Sequence, residues 1–153
     1  MSVRRPKTRL FRRILVPHDF SRSADAALSV ALGLAADYDG TLIVLHVIPP
    51  VYPIHGRPLA PPPGEIAAAG RRLAETVARA LKGRRARRVR TAVVVGPPAS
   101  CILAGARRAD AIVMGTLGRT GLSHVLLGSV AERVVRHAAV PVLTVRATRR
   151  GAH

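Results

Sequence analysis

The chain has no tryptophan, two tyrosines, two phenylalanines and one cysteine, Cys101. Each shortage excludes something. With aromatics at 3%, the core must be filled by Val, Leu, Ile and Ala, which suits a parallel sheet buried on both faces. So few rings also argue against nucleic-acid binding by base stacking. A single thiol rules out an internal disulfide and fits a reducing compartment. The histidines, His18, His46, His55, His124, His137 and His153, are scattered. With one cysteine they give no zinc-site spacing. No apolar run approaches the roughly 20 residues that cross a bilayer, so no membrane partner is expected. Behind the basic amino-terminal segment, Ile14-Leu15-Val16 is too short for the apolar region of a signal peptide. The expected location is the cytoplasm.

Acidic residues are also few, 8 against 25 Lys and Arg, for a net charge of +17. Lys7 and Lys82 are the only lysines; the rest of the positive charge is arginine. Two readings stay open. One is an electrostatic footprint for nucleic acid or another polyanion. The other is an arginine-for-lysine drift in composition with no binding role. The arginines are spread over several segments, densest at 4–13 and 84–90, which favours the second.

What is present is enough for one folded domain. Hydrophobic residues are 48% of 153, and a chain of this length buries roughly 70% of its unfolded surface. Residues 1–10 form a basic lead-in, 11–147 the domain and 148–153 a short tail. Arg13-Ile14-Leu15-Val16-Pro17 reads as a buried strand ended by proline. Ser21 or Ser23 offers an N-cap for a helix through Ala24, Ala27, Leu28, Ala31, Leu32 and Ala35, closed by Asp39-Gly40. Residues 41–48 are a β-branched second strand. Residues 49–64 hold a proline density that excludes regular structure and reads as a long loop. A helix over 65–81 follows, with Ile66, Leu73, Val77 and Leu81 on one stripe. Residues 89–95 are a third strand, and Pro97-Pro98 open a helix through Ile102, Leu103 and Ala106. Ala111-Ile112-Val113-Met114 is a fourth strand, and residues 129–137 a helix capped by Ser129. Val140-Pro141-Val142-Leu143-Thr144-Val145 is the last strand. Strict alternation of strands and helices predicts an α/β, doubly wound parallel sheet of five strands with right-handed crossovers.

Between the fourth strand and the last helix lies Gly115-Thr-Leu-Gly118-Arg-Thr-Gly121-Leu-Ser-His-Val-Leu-Leu-Gly128-Ser129. Glycines here let backbone N–H groups approach phosphate oxygens, and the helix start that follows favours anions. Arg119 adds a cation beside them. The spacing Gly-x2-Gly-x9-Gly-Ser matches neither the P-loop nor the dinucleotide fingerprint.

That spacing resembles the nucleotide loop of the universal stress protein family, in its ATP-binding branch. Four further segments support the resemblance in order: Ile14 to Ser21, Leu45-His46-Val47-Ile48, Val94-Val95-Gly96-Pro97-Pro98 and Pro141-Val142-Leu143. Together they cover nearly the whole chain. The resemblance implies the strand order 3-2-1-4-5, which sets the first and fourth strands side by side and brings Asp19 to the Gly115 loop. It implies ATP, alone or with Mg²⁺, as the ligand. Pro17, Asp19 and Val47 would line the nucleoside end, with Val47 offering its main-chain groups to the base. Met114, Gly115, Gly118 and Arg119 would carry the loop to the triphosphate. Gly128, Ser129 and Val130 would present N–H groups at the helix start. Two departures stand out: Leu117 occupies a position often held by His, and Ala131 one often held by a hydroxyl residue.

The resemblance implies a cytoplasmic, ATP-binding regulator that is not an enzyme, and a homodimer paired through the last strand. Two other classes compete. A slow ATPase or phosphotransferase would need a positioned base, and only His124 in the loop is a candidate. A polyanion binder would rest on the charge alone.

Overall fold

The computed structural model describes residues 11–84, 88–117 and 127–147. Within them the chain alternates β1 (Arg13–Pro17), α1 (Arg22–Tyr38), β2 (Thr41–Ile48), α2 (Glu65–Leu81), β3 (Arg88–Val95), α3 (Pro98–Ala106), β4 (Ala111–Gly115), α4 (Ser129–His137) and β5 (Val142–Val145). The strands form one sheet in the order β3-β2-β1-β4-β5. All four pairings are parallel. This is the order that the resemblance implies, with β1 and β4 adjacent at the point where the winding reverses.

Both faces of the sheet are covered, as the near-continuous apolar strands require. On one face α1 and α2 pack over Ile14, Val16, Leu42, Val44 and Val113. On the other, α3 and α4 pack over Leu15, Leu45, Ile112 and Met114. Alternate residues of β1 thus serve opposite cores, as the two-residue period of a strand dictates. Leu28 and Leu32 of α1 and Leu73 of α2 are fully buried, worth roughly 2–3 kcal/mol each in apolar transfer.

Local chemistry sets the element ends. Ser21 caps α1, its Oγ accepting the Ala24 N–H at 3.2 Å. Ser23 is helical and buried instead. At the other end Asp39 takes the left-handed conformation, φ 52°, which a short polar side chain tolerates. Gly40 follows because a Cβ there would strike the Phe11 carbonyl.

Three expectations are corrected. The last strand starts at Val142, not Val140. Pro141 lies just outside it, where its carbonyl accepts the Ile112 N–H, and Val140 packs into the core beside α3 and α4. The cap of α4 is Gly128, not Ser129, which is the first helical residue. Ile66 is exposed, because it lies in the first turn of α2, ahead of the stripe formed by Leu73 and Val77. In the proline-rich segment a single antiparallel bridge, Val51 to Leu59, is formed.

Candidate functional site

A cavity of about 600 Å³ opens at the carboxyl ends of the strands. Five segments build it: the β1–α1 loop, the end of β2, the first two turns of α2, the start of α3, and the β4–α4 region. Its position follows from the topology. β1 and β4 pair at Ile14–Ala111 and Leu15–Ile112, and the connections leaving their ends run to opposite sides of the sheet. A crevice at such a switch point is the common ligand site of open α/β sheets.

The structure gathers Pro17, Asp19, Val47, Met114, Gly115, Gly128, Ser129 and Val130 around this one cavity. These residues come from four separate stretches of sequence. Gly118 and Arg119, with His124, lie outside the described residues, as do the lead-in 1–10 and the tail 148–153.

The α4 end of the cavity has the chemistry of an anion site. Gly128 carries no side chain to cap the helix, and no side-chain cap bond is made. The N–H groups of the first helical turn have no intrahelical acceptor. They carry the positive end of the helix dipole toward the cavity. Beside them, the Thr116 Oγ1 is buried and has no hydrogen-bond partner among the described residues. The Gly128 N–H donates to the Thr116 carbonyl at 2.6 Å, which fixes the helix start against the end of β4.

Gly115 has a packing role that the sequence did not suggest. A Cβ on it would lie 2.5 Å from the Ser23 Oγ and 2.9 Å from the Ala24 nitrogen. The end of β4 therefore presses on the first turn of α1. The hydroxyls of Ser21 and Ser23 both donate to the Leu117 carbonyl. Leu117 has no polar side chain, yet its backbone ties the loop to α1.

The opposite side of the cavity holds a cluster that the sequence reading missed. Phe20 sits at φ 64°, an unusual conformation for a bulky residue. Its ring lies 4.5 Å from that of His46 and 5.6 Å from that of His18. The Arg72 Cζ lies 3.9 Å from the Phe20 ring centroid, in cation–π contact. His18 is buried. Its Nδ1 accepts the Phe20 N–H at 3.1 Å, and its Nε2 faces the Asp25 carboxylate at 3.1 Å. This pattern assigns the proton to Nε2. His46 is the converse, its Nδ1–H donating to the His18 carbonyl at 2.8 Å. Burial pushes the His18 pKa below its ordinary value, against the pull of Asp25 and Asp19. His18 is thus a neutral structural prop of the cavity lip. The Asp19 carboxylate accepts the Ser21 N–H at 3.0 Å. No sequence signal ties Arg72 to Phe20, because their contact exists only once α2 packs on the same face as α1.

Among the described residues, no group of three or more His, Cys, Asp or Glu could hold a metal ion. No helix among them is long and apolar enough to cross a membrane.

The comparisons with known proteins agree with the topology. Residues 10–146 match the model of the Universal stress protein family. A universal stress protein of Methanocaldococcus jannaschii is 35% identical over 153 residues, covering 95% of this chain and 88% of that protein. A universal stress protein solved in complex with cAMP superposes with a TM-score of 0.65 at 26% identity, covering 90% of this chain and 98% of that one. One from Archaeoglobus fulgidus, solved in complex with dAMP, gives 0.66 at 25% identity, over 89% and 98%. A five-stranded sheet wound 3-2-1-4-5 and a sequence match over almost its whole length lead to one assignment: the chain belongs to the universal stress protein family.

Proposed function

We propose that this chain binds ATP, alone or with Mg²⁺, in the crevice between β1 and β4, and acts as a nucleotide-linked regulator in the cytoplasm. One observation carries the reading. The side-chain-free cap of α4 faces the same cavity as Asp19 and Val47, so an anion-receptive helix start and the proposed nucleoside-binding residues share one space. The relatives solved with cAMP and with dAMP support a nucleotide as the ligand class. In this reading Val47 meets the base through its main chain and Asp19 stands at the ribose. Gly115, Gly118, Arg119, Gly128, Ser129 and Val130 attend the phosphates.

Binding without turnover is the expected behaviour. Oriented N–H groups hold a triphosphate, but transfer also needs a positioned water and support for in-line displacement. Both ring nitrogens of His18 are committed to hydrogen bonds, so it is not free to act as a base.

Denaturing the purified protein and identifying released nucleotide by mass spectrometry tests the ligand. Titration calorimetry tests the site. Gly128→Val should weaken ATP binding at least about tenfold, roughly 1.4 kcal/mol. Ser129→Ala should cost less, since its N–H remains. Unchanged affinity in a folded Gly128→Val protein would refute the assignment. Phosphate release at about one per second or faster, abolished by Gly128→Val, would make the protein an ATPase instead.

A further inference from the structure

In the sequence the arginines are spread over separate segments, but the fold gathers several of them at one end of the sheet. The strands run parallel, so each strand starts, and each connecting helix ends, on the side away from the crevice. The register sets Arg13 beside Thr41 and Thr41 beside Arg88 on three neighbouring strands. Two strand spacings put the Cα atoms of Arg13 and Arg88 about 10 Å apart. Arg13 shares the sheet face of Leu15, and Arg88 and Arg90 share that of Ala92, which is the α3 side. The Thr41 N–H donates to the Arg12 carbonyl and the Asp110 N–H to the Arg13 carbonyl, both at 2.8 Å. These bonds bring Arg12 and the α3–β4 turn, with Arg107 and Arg108, to the same end. Arg12, Arg13 and Arg88 line one hollow there, together with Asp39 and Asp110. Asp110 is taken up by Arg13, accepting its backbone N–H at 2.9 Å and its guanidinium at 3.2 Å. Arg12, Arg88, Arg90, Arg107 and Arg108 are exposed, and among the described residues their guanidinium groups make no ion pair or hydrogen bond. Helix dipoles account for the cations that close α2 and α4, but Arg12, Arg88 and Arg90 are not on helices. Blunting of a sheet edge accounts for Arg88 and Arg90, but Arg12, Arg107 and Arg108 are not on an edge strand.

We propose that the amino end of the sheet, centred on Arg12, Arg88 and Arg90, is a second binding surface, separate from the crevice, and that its partner is duplex nucleic acid held by its phosphate backbone. Guanidinium groups with unused donors match phosphate oxygens. A duplex presents one negative charge per about 1.7 Å of its axis, against one per about 3.4 Å for a single strand. The rings at this end, Phe11 and Tyr38, pack on each other with centroids 5.1 Å apart, so the contact is to phosphates rather than to stacked bases and carries no sequence preference. A lipid surface would call for apolar anchors among the cations. The most exposed aliphatic side chains, Val51, Ile54 and Leu59, instead follow β2 at the crevice end. That end also carries Asp19 and Glu65, which repel a polyanion.

The test is fluorescence anisotropy of labelled DNA duplexes of about 20 base pairs, titrated with the full chain between about 0.05 and 0.2 M salt. The wild type should bind two duplexes of unrelated sequence equally, with affinity falling linearly on a log–log salt plot, and should bind the matching single strand more weakly. In the double variant Arg88→Gln/Arg90→Gln the salt slope should fall by about two, and affinity at about 0.1 M should drop at least about tenfold. The double variant Arg22→Gln/Arg57→Gln removes the same charge at the crevice end and should stay near the wild type. Circular dichroism and urea melts establish that both variants are folded. Absence of duplex binding at about 0.05 M salt overturns the inference. Equal losses in the two double variants overturn it as well, since net charge alone would then drive binding. Wild-type binding to vesicles of phosphatidylserine and phosphatidylcholine, lost in Arg88→Gln/Arg90→Gln, with no binding to duplex, would assign the surface to lipid instead. None of these outcomes depends on whether the crevice binds a nucleotide.

Discussion

At the scale of the residue, His18 shows how a small environment sets a protonation state. It is buried, donates to Asp25 and accepts from the Phe20 N–H. A proton on Nδ1 would set two donors against each other and bury a charge. Both effects agree with the lowered pKa. The sign follows from linkage. The unfolded chain takes up a proton near the ordinary histidine pKa, before the folded chain does, so stability falls as pH drops below about 6.5. The loss is complete once the folded pKa is passed. Urea midpoints measured from pH 8 down to pH 5 should decline in the wild type. In His18→Gln, which can still accept from the Phe20 N–H, the decline should be shallower. Parallel pH profiles for the two proteins would show that His18 is not a linked group. The charged and titratable groups around it are Asp25, Asp19 and His46, with Arg72 behind Phe20. The difference between the two proteins isolates His18 from them.

At the scale of the element, the start of α1 does two jobs. Ser21 accepts the Ala24 N–H, and with Ser23 it donates to the Leu117 carbonyl just beyond the end of β4. Ser21→Ala should therefore destabilise the protein by about 1 kcal/mol, whereas Ser21→Gly should cost only a few tenths through the cap. Denaturant melts check this, and a neutral Ser21→Ala would show that Ser23 holds the loop alone. The elements themselves were legible in the sequence because β-branched runs alternate with helical-period stripes, and both signals are local. Ends were less legible. Val140 looks like a strand residue, but Pro141 separates it from the ladder. Ser129 looks like a cap, yet Gly128 stands at the helix boundary. The eight proposed site residues that can be placed share one cavity, and only the glycine spacing and its companion segments pointed to them as a group. The Phe20–Arg72 contact and the pressure of Gly115 on α1 were not, because each joins elements that only the fold brings together.

At the scale of the whole molecule, the sheet has two edges, β3 and β5, and an edge strand offers unpaired backbone groups to another chain. The two edges are not equivalent. β3 carries Arg88 and Arg90, charges of the kind that blunt an edge. β5 reads Val142-Leu143-Thr144-Val145, has no charge, and leaves Leu143 43% exposed. We therefore expect a homodimer that pairs β5 with β5 across a two-fold axis, each copy presenting the same patch. The charge of +17 per chain opposes that association, and salt screens it. Light scattering should report a dimer whose population rises with protein concentration and with ionic strength between about 0.05 and 0.3 M. Leu143→Lys should shift the equilibrium to monomer by adding repulsion at the contact. Val94→Lys, on the other edge, should leave the equilibrium near that of the wild type. If the mass stays monomeric at all concentrations and salts, or if Val94→Lys dissociates the dimer as strongly as Leu143→Lys, β5 is not the contact.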